Sequence, residues 1–288
     1  MGAEPRCPAN VTSLPLRLIQ SSLIVVSVQI NYSGPYDFVV DTGAQISTVE
    51  TSLAAELHLK AEGTTGSAGV ATFSRSEFVH LGLLRAGDRS VTDSLAVIGD
   101  IDNLRAADPR IRGILGDNFL EHFDLLIDNR RKLLCLDDGD SLALSIKSAH
   151  IGLATPLGLG DDLPFTRPLI IAVRSSGSET PLILLRLDSG SNAPVLYNAA
   201  AALHSGQRRE HPDPVLTRVV YGGKQGFQIL PEMALRISPH VVAQVSFAVP
   251  LNSLGRGPST REDGVLPTMV FERVFISAKG QYATLDSW

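Results

Sequence analysis

Short apolar runs punctuate the chain from the first turn to the last. Ser22–Asn31, Phe38–Val40, Phe78–Leu84, Ser94–Ile98, Leu125–Ile127 and Lys132–Leu136 are rich in Val, Ile, Leu and Phe, and Gly, Pro, Asn, Asp or Ser bounds most of them. Runs of this length with turn-forming borders predict strands. Helical periodicity is scarce. Ser47–Leu59 carries Ser and Thr near its start and then Leu53, Ala54 and Leu57 on one face, which predicts a helix. Asn118–Phe123 predicts a short amphipathic turn, and the Ala-rich Asn198–His204 a third helical stretch. The balance is a β-rich fold with a few short helices.

The pattern then repeats. Leu23–Val28, a turn at Ser33-Gly34-Pro35 and Phe38-Val39-Val40-Asp41-Thr42-Gly43-Ala44 are answered by Leu169–Val173, a turn at Ser176-Gly177-Ser178 and Leu184-Leu185-Arg186-Leu187-Asp188-Ser189-Gly190-Ser191. The two Asp-[Thr/Ser]-Gly triplets lie 147 residues apart (188 − 41). Gly113-Ile114-Leu115-Gly116 is answered by Gly264-Val265-Leu266-Pro267 at an offset of 151 (264 − 113). Two landmarks in the same order at nearly the same offset predict duplicated lobes, residues 1–145 and 146–288. The Gly, Asp and Pro of Asp138–Pro168 read as the connection between them.

Composition narrows the classes. The chain has 288 residues, 44% hydrophobic and 19% charged, with a net charge of −5 and no basic stripe, so no nucleic-acid partner is expected. No run approaches the 18 or so apolar residues of a membrane span. Seven histidines without a His-Glu-x-x-His pattern, and two cysteines, give no basis for a metal centre. Cys7 and Cys135 are either one disulfide or two independent thiols. Residues 1–7 lack a signal-peptide pattern, so either the protein is cytosolic or a signal has been removed. A secreted or periplasmic location is favoured over a cytoplasmic one. Asn10-Val11-Thr12 and Asn31-Tyr32-Ser33 match a glycosylation acceptor pattern that arises often by chance.

An apolar strand that ends in Asp-Thr-Gly delivers a carboxylate from a rigid element into a tight turn. The glycine admits a second backbone, and the hydroxyl can reach across to it. Two such turns related by a pseudo-twofold axis bring two carboxyls together. Like charges at that distance do not both ionise, so the pair shares a proton. The ionised member can take a proton from a water that attacks a carbonyl, while the other donates to the carbonyl oxygen.

Asp41-Thr42-Gly43-Ala44, Gly113–Asp128 with its Ile114-Leu115-Gly116, and Asp188-Ser189-Gly190-Ser191 together resemble the pepsin/retropepsin superfamily of aspartic proteases. The resemblance implies an all-β, bilobal aspartic-protease fold of two pseudo-twofold-related, barrel-like lobes. It implies peptide-bond hydrolysis by a water activated between Asp41 and Asp188, and an extended peptide or protein substrate with apolar side chains near the cut. No metal or organic cofactor is expected, no membrane is involved, and the chain is expected to be a monomer with an internal pseudo-dimer. A protease-like peptide-binding protein without activity is the alternative. Thr42, Gly43, Ala44, Ser189, Gly190 and Ser191 are expected to support the two turns.

A lid over the cleft is expected in Gly-rich segments flanked by strands. Gly66, Ser67, Ala68, Gly69 and Val70 form the first candidate; Tyr221, Gly222 and Gly223 form the second, and the glycine content of both favours two lids over one. Three departures carry expectations of their own. Pro267 replaces the expected Gly, so the local geometry there should differ. Arg186 lies two residues before Asp188, on the same strand face, and is either aimed at the dyad or solvated. Ser191 has a hydroxyl where Ala44 has none. If it bonds its own carboxylate, Asp188 is the more acidic partner and Asp41 holds the shared proton.

Overall fold

The computed structural model describes residues 7–68, 73–154, 169–175, 182–197, 215–220, 223–239, 241–251 and 262–288. The first half opens with β1 (Thr12–Pro15) and β2 (Arg17–Ile19), then the predicted pair β3 (Leu23–Ile30) and β4 (Ser33–Val40). After the Asp41 turn come β5 (Ser47–Glu50), α1 (Thr51–Glu56), β6 (Gly63–Ala68), β7 (Phe73–Ala86) and β8 (Arg89–Gly99). The half closes with α2 (Asp102–Ala107), β9 (Ile111–Leu115), α3 (Asp117–Leu120), β10 (Asp124–Asp128), β11 (Leu133–Asp137) and α4 (Ser141–Ser145).

The second half runs β12 (Ile151–Gly152), β13 (Ile170–Ser175), β14 (Ile183–Asp188), β15 (Val195–Leu196), β16 (Val215–Val220) and β17 (Gly223–Ile229). It ends with β18 (Met233–Arg236), β19 (Val242–Val245), β20 (Ala248–Pro250), β21 (Gly264–Pro267), a 3₁₀ turn at Thr268–Val270, β22 (Arg273–Ser277) and β23 (Tyr282–Asp286).

Sheet order shows the duplication. One sheet runs β3-β4-β9-β5-β8-β7-β6, flanked by β2, and an added β3–β7 pairing curls it toward a barrel. The other runs β13-β14-β21-β15-β20-β17-β16, with β18 and β19 beyond β13. The two orders match strand for strand, and so does the register. Phe38 faces Gly113 in parallel pairing, as Leu185 faces Gly264; Thr48 faces Ile114 in antiparallel pairing, as Val195 faces Val265. The fold is therefore all-β and bilobal, as expected. A third sheet, β1-β11-β10-β22-β23-β12, draws half its strands from each lobe, with β10 and β22 paired at its centre.

Gly113 within β9 and Gly264 at the start of β21 serve one purpose. A Cβ on Gly113 would lie 2.4 Å from the Thr48 carbonyl, and one on Gly264 2.1 Å from the Val195 carbonyl. Each marks where a strand passes too close beneath its neighbour for any side chain. Above these crossings the core is continuous. Phe38, Phe119, Phe247, Leu125, Val274 and Ile276 belong to one buried cluster that runs from lobe to lobe through the shared sheet.

Two expectations change and one open alternative closes. Ser47–Leu59 is not one helix: Ser47–Glu50 is a strand, paired with β8 and β9, and only Thr51–Glu56 is helical. The β-branched Thr48 and Val49 gain more from ladder pairing than from continuing a helix upstream, and Glu50 caps the helix by accepting from the Leu53 amide. The connection Asp138–Pro168 is not all loop, since it contains α4 and β12. Cys7 and Cys135 are joined as a disulfide, which ties the chain start to β11 beside β1. The helix expected at Asn198–His204 lies outside the described residues. Among the described residues, no helix is long and apolar enough to cross a membrane.

A buried polar knot braces the first lobe behind its turn. Asn118 Oδ1 accepts from the Ser47 amide and hydroxyl at 2.7 and 2.8 Å, and its Nδ2 donates to the Leu95 carbonyl and Ser94 Oγ. Ser47 Oγ accepts from the Gly116 amide at 3.0 Å. We expect Asn118→Leu to lower stability by about 2–4 kcal/mol, since each buried group left unpaired costs about 1–3 kcal/mol. Urea unfolding that shows a loss within error of zero would refute this.

Candidate active site

Asp41 follows β4 and Asp188 ends β14, the matching central strands of the two lobes. Their turns interlock through four buried hydrogen bonds. The Thr42 amide donates to Ser189 Oγ (3.1 Å) and the Ser189 amide to Thr42 Oγ1 (3.0 Å). Thr42 Oγ1 donates to the Leu187 carbonyl (2.9 Å), and Ser189 Oγ to the Val40 carbonyl (2.7 Å). Each hydroxyl thus accepts from the opposing turn and donates to the opposing strand. This reciprocity requires a hydroxyl residue directly after each aspartate.

The glycines complete the approach. A Cβ on Gly190 would lie 2.2 Å from Asp41 Cγ, and a Cβ on Gly43 2.5 Å from Asp188 Oδ2. Each carboxyl rests on the bare backbone of the other turn. The two carboxyls lie close enough to affect each other's ionisation, and both residues are half-buried.

Electrostatics makes the pair unequal. Burial pushes both carboxyl groups above their ordinary range. Against that, Asp41 Oδ1 accepts two amides, Gly43 at 2.8 Å and Ala44 at 3.0 Å, whereas Asp188 Oδ1 accepts the Gly190 amide at 2.7 Å. The Asp41 charge then raises Asp188 further. Burial and the Asp41 charge thus raise Asp188 the further of the two, and the condition under which Asp188 was expected to be the more acidic partner is not met. The reason is plain in the geometry: Ser191 Oγ donates to the Ala193 carbonyl at 2.9 Å and not to its own carboxylate.

Arg186 is aimed inward. Its Nε and Nη2 donate to Glu262 Oε2 at 3.0 and 2.7 Å, and its Nη1 donates to the Gly43 carbonyl at 2.8 Å. Glu262, which sequence reading missed, lies 76 residues away along the chain. Pro267 disturbs little. It continues β21 opposite Asp188 and leads into the 3₁₀ turn as Gly116 leads into α3. In the first lobe the Gly116 amide needs Ser47 Oγ; at the positions matching these by register stand Pro267, without an amide hydrogen, and Pro194, without a hydroxyl. Donor and acceptor are lost together, so nothing is left unpaired.

The two lid candidates fall on matching hairpins. Gly66, Ser67 and Ala68 lie in β6, paired with β7, and Gly223 opens β17, paired with β16. Gly69, Val70, Tyr221 and Gly222 lie outside the described residues. Among the described residues no group of three or more His, Cys, Asp or Glu could hold a metal ion.

Residues 26–119 match the Aspartyl protease family. Among solved structures, a retropepsin-like aspartic protease from Rickettsia conorii is similar at 21% identity and a TM-score of 0.33, over 44% of this chain and 91% of that chain. No curated protein matches the chain significantly.

Proposed function

We propose that this chain, whose residues 26–119 match the Aspartyl protease family, hydrolyses peptide bonds with a water held between Asp41 and Asp188. The observation that carries the reading is the reciprocal packing of each carboxyl against the other turn's glycine. In this mechanism Asp41 takes a proton from the water as its oxygen attacks the scissile carbonyl carbon. Asp188 gives its proton to the carbonyl oxygen, which produces a tetrahedral diol. Collapse returns that proton, the amide nitrogen gains one from Asp41, and the C–N bond breaks. No metal or organic cofactor takes part in these steps.

We assign lobes 1–145 and 146–288 one aspartate each, in a monomer that contains its own pseudo-dimer. The substrate is an extended peptide with apolar side chains near the cut. The β6–β7 and β16–β17 hairpins serve as lids, since they hold the same place in two matching sheets.

The test is cleavage of a quenched-fluorescence peptide library, with pepstatin as inhibitor. Asp41→Asn and Asp188→Asn should each cut kcat by at least about 10³-fold, because neither half-reaction has another proton carrier. Residual activity within tenfold of the parent in either variant refutes the dyad. A parent that binds these peptides but never cleaves them would make this a peptide-binding protein. The rate should rise with pH as Asp41 ionises and fall as Asp188 loses its raised, shared proton, giving a bell. Stability follows the same sign. Carboxyls raised in the folded state bind protons that the unfolded chain has released, so this contribution fades as pH climbs through the folded values.

A further inference from the structure

One polar cluster beside the dyad has no counterpart in the first lobe. The register that matches the lobes places Arg186 where the first lobe has Val39, and an offset of 151 places Glu262 where it has Ile111. Val39 and Ile111 are fully buried and pack in one apolar cluster with Ile114 and, at its margin, Ala44. Apolar contact is thus sufficient for this fold at this position. The second lobe replaces it with an ion pair whose side chains keep only 13% and 4% of their exposure. Burying an ion pair gains little stability over well-packed apolar residues, and often loses some. Its presence on one side alone calls for a reason other than folding.

The third contact of the guanidinium supplies one. While Nε and Nη2 hold Glu262, Nη1 reaches the carbonyl of Gly43, in the turn that carries the other aspartate. Gly43 is also the residue whose amide donates to Asp41 and whose Cα supports Asp188. The Gly43–Ala44 peptide, gripped at its carbonyl by a cation of the opposite lobe, therefore also meets Asp41 through the Ala44 amide, while Gly43 Cα lies against Asp188. We propose that Arg186, held by Glu262, is a positioning residue that fixes the Gly43–Ala44 peptide between the two aspartates.

This rests on the hydrolase reading above and deepens it. The charged and titratable groups facing the guanidinium are Glu262, Asp188, Asp41 and Tyr197. The Tyr197 hydroxyl is pushed up by burial and stays neutral. The cation draws both aspartates toward ionisation, so its removal must move their titration to higher pH.

The experiment compares Arg186→Gln and Arg186→Lys with the parent, on a quenched-fluorescence peptide cleaved by the parent. Arg186→Gln should lower kcat about tenfold with KM within about threefold, and shift both limbs of the pH profile upward by about half a unit or more. These magnitudes follow from misplacement of a reacting group and loss of a nearby charge. Arg186→Lys should restore most of the pH shift and only part of kcat, since it keeps the charge without the fork that holds Glu262 and Gly43 together. If Arg186→Gln does not fold, Arg186→Met/Glu262→Leu removes the pair without leaving a buried charge and is read by the same criteria.

An unchanged pH profile and kcat in a folded variant overturn the proposal, and so does a rise in KM alone, which would make Arg186 a substrate contact. Titration of ¹³C-labelled aspartate carboxyls by NMR reads the same shift without turnover. A dyad that moves in Arg186→Gln while the parent cleaves nothing would sustain this inference and sink the hydrolase reading.

Discussion

Gly190→Ala is expected to abolish hydrolysis while the rest of the chain still folds. The new methyl would stand 2.2 Å from Asp41 Cγ and 2.4 and 2.5 Å from the two carboxylate oxygens. The neighbour cannot yield cheaply. Asp41 is held by the Gly43 and Ala44 amides, and its own amide donates to the Leu115 carbonyl of β9. The turns must part instead, and a displacement of about 1 Å at a reacting group costs about 10²-fold in rate. We expect kcat/KM to fall by at least that factor, with a lower thermal midpoint. Gly152→Ala is the control: no atom lies within 4 Å of its would-be Cβ, so its activity should match the parent's. A Gly190→Ala protein within threefold of the parent would mean that the two carboxyls do not work as one unit.

Thr42→Val carries the largest expected loss of stability. Valine matches threonine in shape but has no Oγ1, the atom that accepts from the Ser189 amide and donates to the Leu187 carbonyl. Both backbone groups lie in the sealed junction between the lobes, where water has no ready access. Two orphaned groups at about 1–3 kcal/mol each give about 2–6 kcal/mol of destabilisation. Ser189→Ala should cost a similar amount, through the Thr42 amide and the Val40 carbonyl. The double variant should cost less than the sum, because turns already parted by one change admit water to the groups orphaned by the other. Urea midpoints for the three proteins decide the matter. A loss for Thr42→Val under about 0.5 kcal/mol, as at an ordinary surface site, would show that the interlock is not what joins the lobes.

Much of this was legible in the sequence because it is written in residue types. Strands β3, β4, β7, β8, β10 and β11 appear as apolar runs, and the duplicated lobes as two landmarks at near-equal spacing. The roles of Gly43 and Gly190 in close approach, and of Thr42 and Ser189 across the junction, follow from their chemistry. What escaped depends on partners distant in the chain. The strand Ser47–Glu50 exists because β8 and β9 flank it, so its local pattern reads as the start of a helix. Asn118 looked like one more residue of a short turn, because Ser47 and Ser94 reach it only after folding. The Ser191 hydroxyl was expected to bond its own carboxylate because, one residue beyond the glycine, it seemed a natural donor, but it turns to the Ala193 carbonyl. The actual donors are amides, whose directions no residue letter records.

The proline pair opposite Gly116 and Ser47 shows what a fused chain permits. In an assembly of two identical copies every substitution is written twice, so a change that suits one side of the axis is imposed on the other. Here Pro267 and Pro194 stand in one half, while the other keeps its amide-to-hydroxyl bond. One chain with two unequal halves can change on one side for a task of its own while the other side keeps a different arrangement.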